Sequence, residues 1–148
     1  MNDIIVKEVE IEEVMKVHKN VLEFDASNSK KEYFEDRYKD LEKLIIVAYY
    51  KDLPIGYIVS YDRFNDGKSF YCWMAGVDNN YRRMGALKYL MHYQDKWAKE
   101  KGYTCIKIKT RNSRREMLSF LIKNKFNLIS VEEKESVIDN RINLEKNI

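Results

Sequence analysis

Cysteine and proline are scarce in this chain: 148 residues hold two cysteines, Cys72 and Cys105, and one proline, Pro54. Both cysteines fall inside strand-like runs without Cys-x-x-Cys spacing, which argues against a disulfide framework or a zinc site and for reduced, packed thiols. Histidine is as thin, with only His18 and His92. They stand on separate helical stretches with no Asp or Glu at ligand spacing, so no metal is expected. No window holds the ~18 consecutive apolar residues of a membrane span. Met1-Asn2-Asp3-Ile4 lacks a basic region followed by a hydrophobic one, so a cytoplasmic protein is expected. Glycine occurs five times, never as the three-glycine dinucleotide fingerprint, and no Gly-Lys-Ser/Thr triplet of a nucleotide triphosphatase is present. Repeats, low-complexity segments and linkers are absent as well.

What is there is a chain with 45% hydrophobic residues, enough for one well-packed core and too short for two full domains, so a single domain over residues 1–148 is expected. The net charge of +3 and pI of 8.7 suit an anionic cofactor but fall short of the basic stripe of a nucleic-acid binder. Arg111, Arg114 and Arg115 could touch nucleic acid. A helix start that holds a phosphate or faces solvent explains them equally well.

Periodicity sets out the elements. Ile4-Ile5-Val6 is a short strand signal, and Val14, Val17, His18, Val21 and Leu22 recur at helical spacing through residue 22. Residues 29–42 suggest a second, more exposed helix carrying Tyr33, Phe34, Arg37, Tyr38 and Leu41. Leu44 to Tyr50, Ile55 to Tyr61 and Phe70 to Val77 read as three antiparallel strands, turned by Lys51-Asp52-Leu53-Pro54 and by Asn65-Asp66-Gly67. Leu87, Leu90, Met91, Gln94, Trp97 and Ala98 trace a helix face that Gly102 closes. Tyr103 to Thr110 is the next strand, parallel to the one before the helix. A helix over residues 113–125 and two strands, Asn127 to Val131 and Ile138 to Leu144, complete the order.

The most informative stretch runs from Val77 to Lys88. A strand enters an Arg82-Arg83-Met84-Gly85 turn, and the turn opens the long helix. Helix N-termini carry unsatisfied N–H donors and roughly half a positive charge, and glycine lets phosphate oxygens approach the main chain. The turn is suited to a diphosphate. Read plainly, the same residues are a strand-to-helix turn with solvated arginines.

The order β-α-α-β-β-β-α-β-α-β-β with that turn resembles the GNAT superfamily of acetyl-CoA-dependent N-acyltransferases over nearly the whole chain. The resemblance rests on Gly76-Val77-Asp78, Tyr81-Arg82-Arg83-Met84-Gly85-Ala86, Lys109-Thr110-Arg111-Asn112 and Lys123-Asn124-Lys125-Phe126. It implies an α/β (α+β) fold: a mixed, mostly antiparallel twisted sheet of about seven strands with four helices, strands four and five parallel. The family pattern Arg/Gln-x-x-Gly-x-Gly/Ala fits Arg82 to Ala86, while Leu87 stands where the last small residue usually is.

By that resemblance acetyl-CoA is the cofactor. Ala75, Gly76 and Val77 would pair through their main chain with the pantetheine arm. Arg83, Met84, Gly85, Ala86, Leu87 and Lys88 would wrap the diphosphate, and Asn112 would add a contact. The implied reaction is acetyl transfer to a primary amine, on a small molecule or a peptide, by direct attack in a ternary complex. A backbone N–H near Val77 could polarise the carbonyl. The proton-donating tyrosine common in the family is matched here by Leu121, and the carboxylates used by some members by Lys109 and Tyr71. Tyr71 is then the candidate for proton handling, or else an aromatic packed across the sheet. Trp73 shares its face by strand alternation and could line the acceptor pocket, while Glu23 and Asp25 could attract a cationic amine or simply be solvated. The missing Tyr and Glu also admit a catalytically silent coenzyme A-binding module acting as a sensor or partner. A homodimer through the last strands would use Ile138, Ile142 and Leu144, which could equally fill the monomer core.

Overall fold

The computed structural model describes residues 3–22, 24 and 30–148. Glu23 and Asp25 lie outside the described residues.

Among the described residues seven strands form one sheet in the order β1-β2-β3-β4-β5-β7-β6. The strands are β1 (Ile4–Glu8), β2 (Lys43–Tyr50), β3 (Leu53–Tyr61), β4 (Ser69–Val77), β5 (Cys105–Arg111), β6 (Asn127–Glu132) and β7 (Arg141–Asn147). The helices are α1 (Ile11–His18), α2 (Lys31–Tyr38), α3 (Ala86–Glu100) and α4 (Arg115–Lys123). All pairings are antiparallel except β4 with β5, which is parallel. This is the mixed arrangement expected from the sequence.

Strand alternation sorts the side chains into two layers. On one face, Leu44, Ile46, Ile58, Phe70, Cys72, Ile106 and Ile108 pack against Leu90 and Met91 of α3 and Leu121 of α4. On the other, Ile45, Val47, Tyr57, Val59, Tyr61 and Tyr71 pack against Val14 and Val17 of α1 and Phe34 and Tyr38 of α2. A buried hydrogen bond from Ser60 to Gln94 pins β3 to α3.

Several boundaries differ from the sequence reading. The first helix ends at His18 rather than residue 22, because the chain tightens into three-residue turns closed by Asn20 N–H to Val17 O and Val21 N–H to His18 O. Val21 still reaches the core, so the apolar spacing outlasts the helix. The second helix is Lys31–Tyr38, stopped by extended Lys39 and by Asp40 at φ +62°. The β2–β3 turn is only Lys51-Asp52, both at positive φ, as a two-residue hairpin with the strands' right-handed twist requires. Leu53 and Pro54 already belong to β3, and Pro54 sits beside an irregularity that relieves the ladder of its missing N–H. Ile138 falls in a 3₁₀ turn over Val137–Asp139, so the last strand starts at Arg141. Ile142 and Leu144 lie in the core, leaving Ile138 exposed.

Candidate functional site

The parallel ladder between β4 and β5 covers only Ser69–Cys72 against Cys105–Ile108. Beyond it β4 runs on to Val77 paired with β3 alone, so among the described residues the outer edge of Trp73–Val77 carries no strand. The Asp78 N–H donates to the Ile55 carbonyl at 2.8 Å, which sets the phase of the β3–β4 ladder. In an antiparallel pair alternate residues face the partner. Met74 and Gly76 therefore turn their main-chain groups to β3, and Ala75 and Val77 turn theirs to the open edge. The Val77 carbonyl accepts from Arg82 Nε at 3.2 Å on that side.

The register slips between Val59 and Ser60, and Trp73 is the extra residue on β4. A bulge there bends the strand and increases its twist just where β4 leaves β5. Gly76 is needed for a different reason. A Cβ at that position would stand 2.8 Å from Phe24 and 3.1 Å from Val21, so only glycine lets the segment after α1 lie on β4.

After β4, Asp78 caps a short 3₁₀ turn over Asn79–Tyr81 by accepting from the Asn80 N–H. The chain then takes the left-handed conformation twice, at Arg83 (φ +68°) and Gly85 (φ +86°), and enters α3. Among the described residues no side chain caps this helix; its first main-chain bond runs from the Tyr89 N–H to the Gly85 carbonyl. The first-turn N–H groups of Ala86, Leu87 and Lys88 thus have no partner within the helix. Ala86 is buried, Leu87 and Met84 pack against the core, and Arg83 and Lys88 are exposed. Leu87 therefore takes a packing place while its N–H stays in the first turn. Asn112 lies elsewhere, in the β5–α4 connection, where its amide donates to the Val137 carbonyl at 3.1 Å and its N–H to the Asn140 carbonyl at 2.8 Å.

Trp73 and Tyr71 share the α1/α2 face, each in contact with the Tyr61 ring. Tyr71 is buried, with Arg63 lying 4.8 Å over its ring. Burial raises its phenol above the ordinary range, and Arg63 partly offsets this. Its hydroxyl makes no hydrogen bond among the described residues. Lys109, in place of a carboxylate, pairs with Glu132 at 2.9 Å. Hydrogen bonds from Asn143 and Lys109 hold the Glu132 carboxyl down at about 2, which makes it a poor base. Leu121 is wholly enclosed in the core.

Sequence reasoning missed one buried polar pair beside this site. His18 Nδ1 lies 2.7 Å from the Tyr57 hydroxyl, and Tyr57 is the direct cross-strand partner of Gly76. Nothing in the sequence links two residues 39 positions apart; only the alternation that turns Tyr57 toward α1 hinted at it. Among the described residues no three His, Cys, Asp or Glu side chains converge as metal ligands.

Residues 11–126 match the model of the acetyltransferase (GNAT) family. No curated protein sequence matches the chain significantly. Among solved structures, a GNAT family acetyltransferase from Elizabethkingia anophelis with acetyl-CoA bound superposes with TM-score 0.76 at 20% identity, over 100% of both chains. The PaiA N-acetyltransferase from Thermoplasma acidophilum in complex with coenzyme A gives TM-score 0.76 at 17% identity, covering 98% of this chain and 99% of the other. The ribosomal-protein-S18-alanine N-acetyltransferase from Escherichia coli gives 0.81 at 11% identity, covering 98% and 94%. At these identities the superpositions show the fold. The family match, spanning well over half of the chain from α1 through the Arg82–Gly85 turn to Phe126, places this protein in the acetyltransferase (GNAT) family.

Proposed function

We propose that the chain, as one acyltransferase unit over residues 1–148, transfers an acetyl group from acetyl-CoA to a primary amine on a small molecule or peptide, by direct attack in a ternary complex. The observation that carries this reading is a strand edge, unpaired among the described residues, that leads straight into a helix N-terminus no described side chain caps. The edge offers the main-chain groups of Ala75 and Val77 to an amide-bearing arm, by the same pairing that adds a strand to a sheet. The turn offers the N–H groups of Ala86, Leu87 and Lys88, with the charges of Arg83 and Lys88, to a diphosphate. Met84 and Gly85 shape that cradle, Gly76 lets the segment after α1 lie on β4 behind the edge, and Asn112, in the β5–α4 connection, is a further proposed contact.

Acetyl-CoA, when bound, supplies an acetyl group activated as a thioester. The residues of the Arg83–Lys88 turn would hold its diphosphate and the open Ala75–Val77 edge its arm, which would set the thioester beside β4 where β4 and β5 diverge. A main-chain N–H near Val77 that the arm leaves unengaged would stabilise negative charge on the carbonyl oxygen. Trp73 lines the acceptor side, and Glu23 is an acceptor contact. Tyr71, kept protonated by burial, delivers a proton to the departing thiolate. Among the described residues no carboxylate is placed to act as base at this point, so the amine enters neutral or loses its proton to water, and positioning provides much of the rate. The site operates in the cytoplasm, and a homodimer is compatible with it.

The enclosed Leu121 in place of a tyrosine is the observation that favours a silent coenzyme A-binding module instead. Thermal unfolding with acetyl-CoA, coenzyme A, ATP and NAD side by side tests the binding half. A ligand held only by the folded chain at about 100 times its Kd adds about 2.7 kcal/mol. A rise with the two coenzyme A species alone supports the assignment; none with them overturns it. Thiol release on adding amines then separates the enzyme from the module.

A further inference from the structure

The acceptor side of β4 is furnished for negative charge. The Arg37 guanidinium lies 5.0 Å over the Trp73 ring, and that of Arg63 lies 4.8 Å over the Tyr71 ring. Lys107 adds a third cation, 4.8 Å over Phe64, which itself contacts Tyr71. Both arginines are exposed, and among the described residues neither has a carboxylate within ion-pair distance.

The acids nearest in sequence are turned elsewhere. Asp62 accepts from the Asn65 N–H at 3.1 Å, and Asp66 from the N–H groups of Lys68 and Ser69 at 2.9 and 2.7 Å. Glu35 and Asp36 adjoin Arg37 on α2, a spacing that points side chains to different sides of a helix. Stacking on an aromatic ring uses the flat face of a guanidinium and leaves its planar fork of N–H donors free, the geometry that grips a carboxylate in two parallel bonds. Trp73 and Tyr71 are two residues apart on one strand and share a face, so both guanidinium groups lie on the same side of β4.

We infer that the acceptor is a primary amine that also carries carboxylates, which Arg37 and Arg63 engage while the amine meets the thioester beside Trp73. The inference rests on the acetyltransferase reading above and narrows its acceptor class. Free amino-dicarboxylic acids and acidic peptides share this chemistry.

The test measures thiol release from acetyl-CoA by the full chain with free glutamate against glutamine, and with triglutamate against triglutamine. The expected result is a preference of ten-fold or more in kcat/KM for the acid within one pair, expressed mainly in KM and shrinking as salt is raised. The pair that shows it distinguishes amino acid from peptide. Arg37→Gln and Arg63→Gln, both at exposed positions, should each erode the preference, and the double Arg37→Glu, Arg63→Glu variant should reverse it. Equal or better use of the neutral partner, or no transfer to any of the four while acetyl-CoA still raises the unfolding temperature, overturns the inference and leaves the cofactor assignment standing. No response to acetyl-CoA at all overturns both.

Discussion

The hydroxyl of Tyr57 lies 2.7 Å from Nδ1 of His18, and both side chains are buried beneath the segment that Gly76 admits onto β4. The pair joins α1 to the strand behind the proposed acyl site. Tyr57→Phe removes one partner and keeps the ring, so the loss is that of a buried hydrogen bond, about 1–3 kcal/mol. The denaturant midpoint should fall at constant m-value; an unchanged midpoint would show that the contact contributes nothing to stability.

Gly85 and Gly67 both sit at positive φ, +86° and +72°, and neither faces a tight contact for an added Cβ. Alanine at either site should cost about 1 kcal/mol in stability through left-handed strain. Only Gly85→Ala should also weaken the acetyl-CoA-induced rise in unfolding temperature. Gly67 lies in the β3–β4 connection and serves as the matched control; equal loss of the rise in both variants would refute a specific cradle at Gly85.

Tyr71→Phe removes a hydroxyl without disturbing the Tyr61, Phe64 and Arg63 contacts of the ring. If the phenol protonates the leaving thiolate, kcat falls by on the order of 10²-fold while KM for acetyl-CoA holds. The active form is the protonated one, and burial raises its titration above the ordinary 10. Wild-type kcat should therefore show no alkaline decline from this group below pH 10. A decline at pH 8–9 that Tyr71→Phe abolishes would contradict the assignment.

Cys72 is fully enclosed, and burial pushes its thiol up to about 12. Cys105 is also buried and raised. Because the thiolate is the reactive form, neither should be alkylated by iodoacetamide at pH 8 in the native chain, and both should react in denaturant. Intact mass before and after unfolding reads this directly; a single adduct on native protein would identify the less protected thiol.

Much of the fold is legible in the sequence because its strands alternate cleanly and its turns carry their own chemistry. The Arg82–Gly85 turn is recognisable from one glycine placed between a strand and an amphipathic run. Boundaries fail where apolar spacing continues through a different backbone, as at Val21, or where a charged pair such as Lys51-Asp52 adopts a turn usually given to asparagine and glycine. The bulge at Trp73 has no composition signal, since it arises from pairing with β3. The His18–Tyr57 pair and the stacked Arg37 and Arg63 are long-range relationships, set by which helix lies on which strand, and no local pattern encodes them.

The short β4–β5 ladder makes the sheet two panels, β1–β4 and β5-β7-β6, hinged on four residue pairs. An inserted arm would act as a wedge that is also a missing rung, turning a frayed seam into a continuous one. Amide exchange along β4 should then alternate in the empty protein, with Ala75 and Val77 fast and Met74 and Gly76 slow. Occupancy should erase that alternation and lock the panels into a single cooperative plate.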